Sequence, residues 1–120
     1  MKSMIIGVVG PCAAGKSTLT RELKARGYLA RHIAQEHSYV PDMWLRLTNP
    51  DVLVYLAVSY PLTVQRRKLD WTLEEYAEQI HRLRHARQYA NITIDTDPLS
   101  ASEVLDRVIE YINSMNNSYG

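Results

Sequence analysis

One glycine-rich segment, residues 10–17, constrains the fold more than any other feature of the sequence. It reads GPCAAGKS, follows a short apolar run at residues 4–9 and precedes a stretch with leucines at helical spacing. A buried parallel strand, a tight loop and a helix are the elements that this pattern predicts. Gly27 then stands where a helix-ending glycine is common. This part of the chain is therefore predicted to be a strand-loop-helix unit of an α/β fold.

The spacing of that segment matches G-x-x-x-x-G-K-S/T, a loop that holds phosphate groups. Gly10 and Gly15 let backbone N–H groups turn inward toward an anion, and the N-terminus of the following helix adds partial positive charge. Lys16 is expected to reach the β- and γ-phosphates, and the Ser17 hydroxyl is the expected Mg²⁺ ligand. A chance match is the alternative, which the flanking strand and helix disfavour. The predicted nucleotide-binding residues are Gly10, Pro11, Cys12, Ala13, Ala14, Gly15, Lys16, Ser17 and Thr18.

The rest of the chain alternates between strand-like and helix-like patterns. Further strands are predicted at residues 28–34, 51–58 and 91–95, and further helices at residues 43–47, 61–69, 73–89 and 101–112. Residues 72–75 and 100–103 have the pattern of helix-capping boxes. This order predicts a single α/β domain at residues 1–115, with helices on both faces of a short parallel sheet of about four strands in the order 2-1-3-4. Residues 116–120 are expected to be a frayed tail.

Composition and charge limit the classes of function. The chain has 120 residues, and its 14 Lys and Arg nearly balance 13 acidic residues, so net charge favours neither nucleic acid nor a membrane as a partner. The single cysteine excludes an internal disulfide framework and a multi-cysteine zinc site. No apolar run approaches the ~18 residues of a membrane span, and no secretion signal is recognisable. We therefore expect a cytoplasmic protein. Cys12 is expected to be either a redox-sensitive thiol beside the helix N-terminus or a small side chain that only fills space in the loop.

Beyond the phosphate loop, three segments resemble the small P-loop kinases, the group that includes adenylate, cytidylate and shikimate kinases. Residues 51–67 resemble a strand of that family and the arginine-bearing helix after it, residues 82–87 the end of a shortened lid, and residues 92–100 the last strand and the turn beside the base. The resemblance covers most of the chain, but only the phosphate loop is highly specific. It implies a three-layer α/β/α P-loop NTPase-like domain that uses ATP and Mg²⁺ and transfers the γ-phosphate to a small-molecule acceptor.

The same resemblance implies which side chains act in catalysis. The catalytic set that it implies is Lys16, Glu36, Arg66, Arg84 and Arg87, with Arg67 as a further basic candidate. The arginines would stabilise charge in the transition state, and a solvated basic surface is the alternative. Glu36 would accept the acceptor's proton or organise Mg²⁺-bound water, with His37 sharing the task; a polar loop leaving a strand is the alternative.

An acceptor site is implied near Tyr39, Met43 and Trp44, although a tryptophan beside Leu45 and Leu47 is also typical of a core.

The sequence also departs from the kinase pattern. No apolar strand ends in the aspartate that usually organises the metal, since Asp51 begins its strand and Asp95 ends one at a different place in the order. The room between the second and third strands is also too short for the family's usual acceptor domain. A nucleotide-binding module or slow NTPase without efficient phosphotransfer is therefore the second hypothesis. Asp-x-x-Gly and Asn-Lys-x-Asp motifs are missing from the sequence, so adenine is favoured weakly over guanine. A homodimer that covers the exposed edge of the second strand is a further expectation.

Overall fold

The computed structural model describes residues 4–67 and 70–117. The strands are β1 (Ile5–Val9), β2 (Leu29–His32), β3 (Val52–Ala57) and β4 (Ile92–Asp95). The helices are α1 (Lys16–Ala25), α2 (Met43–Leu47), α3 (Tyr60–Arg67), α4 (Leu73–Arg82), α5 (Arg84–Tyr89) and α6 (Ala101–Asn117). A single 3₁₀ turn, Gln35–His37, follows β2.

The strands form one parallel sheet in the order β2-β1-β3-β4, which confirms the predicted order. Ile6 at the centre of the sheet is in register with Ala30 on one side and Val52 on the other. Because all strands run the same way, their carboxyl ends meet at one edge of the sheet. The loop after β1, the 3₁₀ turn after β2 and the segments after β3 and β4 therefore come together there.

Helices cover both faces of this sheet, as its nearly continuous apolar strands require. On one face, side chains of β1 and β3 pack against α1 and α6; the cluster includes Ile6, Val8, Val54, Leu56, Leu19, Leu23, Leu105, Val108 and Ile112. On the other face, Val9, Leu53 and Tyr55 pack against Trp44, Leu83 and Ala86. The architecture is thus α/β with a four-stranded parallel sheet, compatible with three layers.

Capping explains where two of the helices begin. Thr72 and Glu75 form a reciprocal capping box at α4. At the start of α6, Ser100 and Glu103 exchange the same pair of hydrogen bonds, at 2.9 and 3.1 Å. The hydrogen bonds from Ser100 lower the pKa of Glu103 below its ordinary value. Both predicted capping boxes are therefore confirmed.

Helix ends differ in places from the prediction. The single helix expected at residues 73–89 is broken at Leu83, a fully buried residue that ends α4 and precedes α5. At the C-terminus, α6 continues to Asn117, into the segment predicted as a frayed tail, and residues 118–120 lie outside the described residues. The expected end of α3 at Leu69 also lies outside them, as does the side chain of Arg67.

The two edges of the sheet are β2 and β4. Leu29 on β2 is 46% exposed, so apolar surface is available at the edge where a homodimer is predicted. That dimer stays a prediction. Within residues 4–67 and 70–117, none of the helices combines the length and apolarity that crossing a bilayer requires.

Candidate phosphate-binding site

The loop between β1 and α1 is tightly curled. Ala13 and Gly15 have positive φ angles of 69° and 96°, and Ala14 N–H donates to the Pro11 carbonyl oxygen at 3.2 Å. Gly10 lies directly against β3, because a Cβ at this position would be 2.4 Å from the Leu56 carbonyl oxygen. The loop can therefore follow this path only with a glycine at its first position.

Replacing Gly10 by alanine is expected to lower the free energy of unfolding by about 2 kcal/mol or more, because backbone of β3 blocks the added methyl group. Gly27→Ala is the matched control: its φ is +88°, but no atom lies within 4 Å of the added Cβ, so only backbone strain of about 1 kcal/mol is expected. Urea unfolding of both variants measures the difference. Equal losses would contradict the close approach of the loop to β3.

No side chain of the described residues caps the N-terminus of α1. Its N-cap, Gly15, has no side chain to accept a hydrogen bond, and its first turn contains no acidic residue. The first N–H groups of a helix have no partner within the helix, and its N-terminus carries partial positive charge. Gly15 and Ser17 are exposed here and line a cavity of about 190 Å³ together with Lys16, Glu36 and His37. Five of the nine predicted nucleotide-binding residues thus line this small cavity: Cys12, Ala13, Gly15, Lys16 and Ser17.

Lys16 is buried at the base of this cavity, with its side chain 6% exposed. Its ammonium group donates to the carbonyl oxygens of Gly10 and Pro11 at 2.8 and 2.9 Å. The third partner is Glu36, whose Oε2 lies 2.8 Å from Lys16 Nζ. An ammonium group has three protons. All three are therefore occupied in this state, and a phosphate must displace one of these partners to be bound by Lys16.

Glu36 reaches Lys16 from the 3₁₀ turn after β2. Its Oε1 is buried and has no hydrogen-bond partner among the described residues. The turn itself is fixed by the neighbouring Gln35, which is fully buried. Gln35 Nε2 donates to the carbonyl oxygens of Val40 and Arg82, and its Oε1 accepts from Trp44 N–H at 2.8 Å. Gln35 thus positions the carboxylate of Glu36 at the loop.

No acidic residue directly follows β3, where the kinase pattern would have one. Ser59 N–H donates there to Asp97 Oδ1 at 2.9 Å, and the Tyr76 hydroxyl donates to the Val58 carbonyl oxygen at 2.7 Å. Burial, with a contribution from Asp97, raises the pKa of Tyr76, so this phenol remains a hydrogen-bond donor. The carboxylate that contacts Lys16 thus comes from the turn after β2, as Glu36, and not from the end of β3.

Two side chains of α4 also contact the site. Gln79 was not singled out from the sequence, and Arg82 was named only as the first residue of the segment that resembles the end of a lid. Gln79 Oε1 accepts from Cys12 N–H at 2.9 Å, and Gln79 Nε2 donates to Cys12 Sγ at 3.1 Å. Arg82 donates to the Glu36 carbonyl oxygen at 3.4 Å and lies over the ring of Tyr39. Gln79 and Arg82 are three residues apart, so they share one face of α4. The three-residue spacing of Gln79 and Arg82 is the sequence signal for this shared face. The sequence-based prediction for this helix rested on its apolar residues instead.

Arg66 is the predicted arginine that the structure brings to the loop. Its guanidinium group donates to the Ala13 carbonyl oxygen at 3.3 Å and to Oγ1 and the carbonyl oxygen of Thr96 at 2.9 and 2.7 Å. It borders a second cavity, of about 200 Å³, beside the loop. The apolar side chains of this cavity include Leu19, Leu99 and Val104. Thr96, which holds Arg66, was not singled out from the sequence.

Arg84 and Arg87 make other contacts. Arg84 donates to the His81 carbonyl oxygen at 2.7 Å, and the Arg87 guanidinium lies 5.5 Å from the centre of the Tyr55 ring. Among the contacts of the described residues, none joins either arginine to the phosphate loop. Their catalytic role stays a prediction, without a contact to support it.

Of the residues expected around an acceptor, Trp44 is in the core. It is 6% exposed, and its Nε1–H donates to His85 Nδ1 at 3.0 Å. The cavity beside it is lined by Asp51 and Asn91, next to the starts of β3 and β4, so it lies at the edge of the sheet remote from the phosphate loop. Tyr39, in contrast, is 82% exposed and stacks with Arg82 near Glu36.

Comparison of the sequence with models of known protein families gives no match, and comparison with curated proteins gives none either. The function proposed below therefore rests on the residues of the site.

Proposed function

We propose that this chain binds a nucleoside triphosphate at the phosphate loop and transfers its γ-phosphate to a small hydroxyl- or phosphate-bearing acceptor, as a phosphotransferase of the P-loop NTPase class. The observation that carries the proposal is the buried pair of Lys16 and Glu36 beside a helix N-terminus without acidic residues. This arrangement supplies a cation, free N–H groups and a carboxylate within one cavity. Phosphoryl transfer requires mainly such positioning and charge stabilisation.

Binding of the triphosphate is proposed to use an exchange of partners at Lys16. A phosphate oxygen replaces Glu36 as the acceptor, and the N–H groups at the start of α1 add hydrogen bonds to the same anion. The partners lost and gained by Lys16 both carry negative charge. The ammonium group is therefore never left buried without an anion, which would be costly.

Glu36 gains a role from the same exchange. Released from Lys16, its carboxylate can accept the proton of an acceptor hydroxyl, and its buried Oε1 has no competing partner among the described residues. Arg82 and Tyr39 border the same side of the turn and are suited to contact an acceptor.

The exposed hydroxyl of Ser17, in the first turn of α1, is suited to bind Mg²⁺ directly. The Glu36 carboxylate is suited to accept hydrogen bonds from water molecules bound to that ion. When bound, Mg²⁺ supplies positive charge to the transferred phosphate. The apolar cavity bordered by Arg66 and Leu99 is of suitable character for a nucleotide base. ATP is proposed as the nucleotide.

A nucleotide-binding module without efficient transfer is the second candidate. The contacts of Arg84 and Arg87, which join them to a backbone carbonyl and to an aromatic ring and not to the phosphate loop, favour it. A screen for ADP formation from Mg·ATP with nucleosides, nucleotides and polyhydroxylated acids as acceptors separates the two. Acceptor-dependent ADP formation is expected. Tight ATP binding with no ADP formation from any acceptor would favour the module.

Arg66→Ala is expected to weaken Mg·ATP binding by about tenfold or more, because its guanidinium links the phosphate loop to Thr96 beside the apolar cavity. Arg46→Ala, which removes an exposed arginine of α2 that pairs with Asp42, is the matched control and should bind ATP as the wild type does. Calorimetric titration of both variants gives the two affinities. Equal affinities would remove Arg66 from the site.

A further inference from the structure

Three potential metal ligands meet beside the phosphate loop. Cys12 belongs to the loop after β1, and Glu36 and His37 belong to the 3₁₀ turn after β2, which pairs with β1. One ligand atom from each, a sulfur, a carboxylate oxygen and an imidazole nitrogen, lies within 4.8 Å of the other two. The parallel sheet thus brings together three residues that differ in chemistry.

The carboxylate in this cluster has spare binding capacity. Glu36 is 3% exposed, yet its Oε1 has no hydrogen-bond partner among the described residues, which is costly for a buried carboxylate oxygen. His37 Nε2 lies 3.8 Å from Glu36 Oε2, and the His37 side chain is 60% exposed. An exposed imidazole can turn toward the carboxylate without disturbing the core.

We propose that Cys12, Glu36 and His37 bind a thiophilic divalent transition metal of the Zn²⁺ class in the nucleotide-free protein. Zn²⁺ binds sulfur at about 2.3 Å and nitrogen or oxygen at about 2.0–2.2 Å, in a tetrahedron. Ligand atoms in such a site are therefore about 3.3–3.8 Å apart. Binding would draw the three ligand atoms, which lie within 4.8 Å of one another, to that spacing, chiefly by rotation of the exposed His37, and water would fill the fourth position. The Cys12 thiol releases its proton to solvent on binding.

Charge and hydrogen bonding at the cluster are compatible with such an ion. The Cys12 thiolate and the Glu36 carboxylate bring two negative charges to a site with three positive ones, two on the metal and one on Lys16, whose Nζ lies 2.8 Å from Glu36 Oε2. Gln79 Nε2 donates to Cys12 Sγ at 3.1 Å, which orients the sulfur. Mg²⁺ prefers oxygen ligands in an octahedron, so this mixed set discriminates against it.

The test is titration of the nucleotide-free full chain with Zn²⁺ alone, by competition with a chromogenic chelator, and with Co²⁺ as a spectroscopic substitute. We expect one ion per chain and a thiolate-to-Co²⁺ charge-transfer band. Cys12→Ser should abolish the band, and Cys12→Ser and His37→Ala should each weaken Zn²⁺ binding by at least about tenfold. His81→Ala, which removes an exposed histidine of α4, is the control and should leave the affinity unchanged.

Zn²⁺ affinity that does not change in Cys12→Ser and His37→Ala, or Co²⁺ binding without the charge-transfer band, would overturn the proposal. Circular dichroism of each variant shows whether it is folded before titration. Because no nucleotide is present, the result is independent of whether the chain binds ATP or transfers phosphate.

Discussion

Glu36→Gln is expected to lower acceptor-dependent ADP formation by about 10²–10⁴-fold while ATP binds at least as tightly as it does to the wild type. The amide cannot accept the acceptor's proton, and loss of a general base typically costs this much. Binding should not weaken, because the carboxylate that occupies Lys16 at 2.8 Å is replaced by a neutral group that competes less with phosphate. Steady-state ADP release and calorimetric titration measure the two effects separately.

Glu74→Gln is the matched control for this variant. It makes the same change at an exposed acid in the first turn of α4 and should alter neither turnover nor binding. Turnover that is measurable in the wild type and unchanged in Glu36→Gln would exclude Glu36 as the proton acceptor. That result would leave the buried pair with a structural role only.

Lys16→Met is expected to lower the free energy of unfolding by about 3–5 kcal/mol, because removing one partner of a buried ion pair leaves the other charge uncompensated. Glu36 is buried, and its Oε1 already lacks a partner among the described residues. Adding Glu36→Gln to Lys16→Met removes that charge and should recover a large part of the loss. Urea unfolding of the wild type, both single variants and the double variant measures the coupling.

Additive losses in this double-mutant cycle would contradict the ion pair. Strong coupling would show that the same two residues that are proposed to bind and transfer phosphate also stabilise the nucleotide-free loop. In that case Lys16→Met alone would reduce ATP binding in two ways, by removing the ammonium group and by unfolding part of the protein.

The fold could be predicted from the sequence because its signals are local. Continuous apolar runs such as residues 4–9 and 51–58 indicate buried parallel strands, and the glycine-rich loop fixes the connection from β1 to α1. The capping boxes at Thr72 and Ser100 fix two helix starts. The break at Leu83 was not predictable, because that residue continues the helical spacing of apolar residues and no glycine or proline marks the change.

The site was predictable only in part, for a related reason. Residues 10–17 carry their geometry in a short motif, whereas the pairing of Lys16 with Glu36 depends on how the turn after β2 packs beside the loop. The contact of Gln79 with Cys12 joins residues far apart in the chain, and helical periodicity does not report such contacts. Arg84 was proposed because residues 82–87 resemble the end of a lid, and that resemblance does not say which element the side chain contacts.

The measurement that tests the phosphate-binding role most directly is calorimetric titration of Mg·ATP into Glu36→Gln and into the double variant Lys16→Met/Glu36→Gln. Both lack the buried carboxylate, so they differ only in the ammonium group at the loop. Because a hydrogen bond to a charged group contributes about 1.5–3 kcal/mol, the double variant should bind ATP at least about tenfold more weakly. Equal affinity of the two variants, or no binding of ATP by the wild type, would contradict the assignment of residues 10–17 as a nucleotide phosphate site.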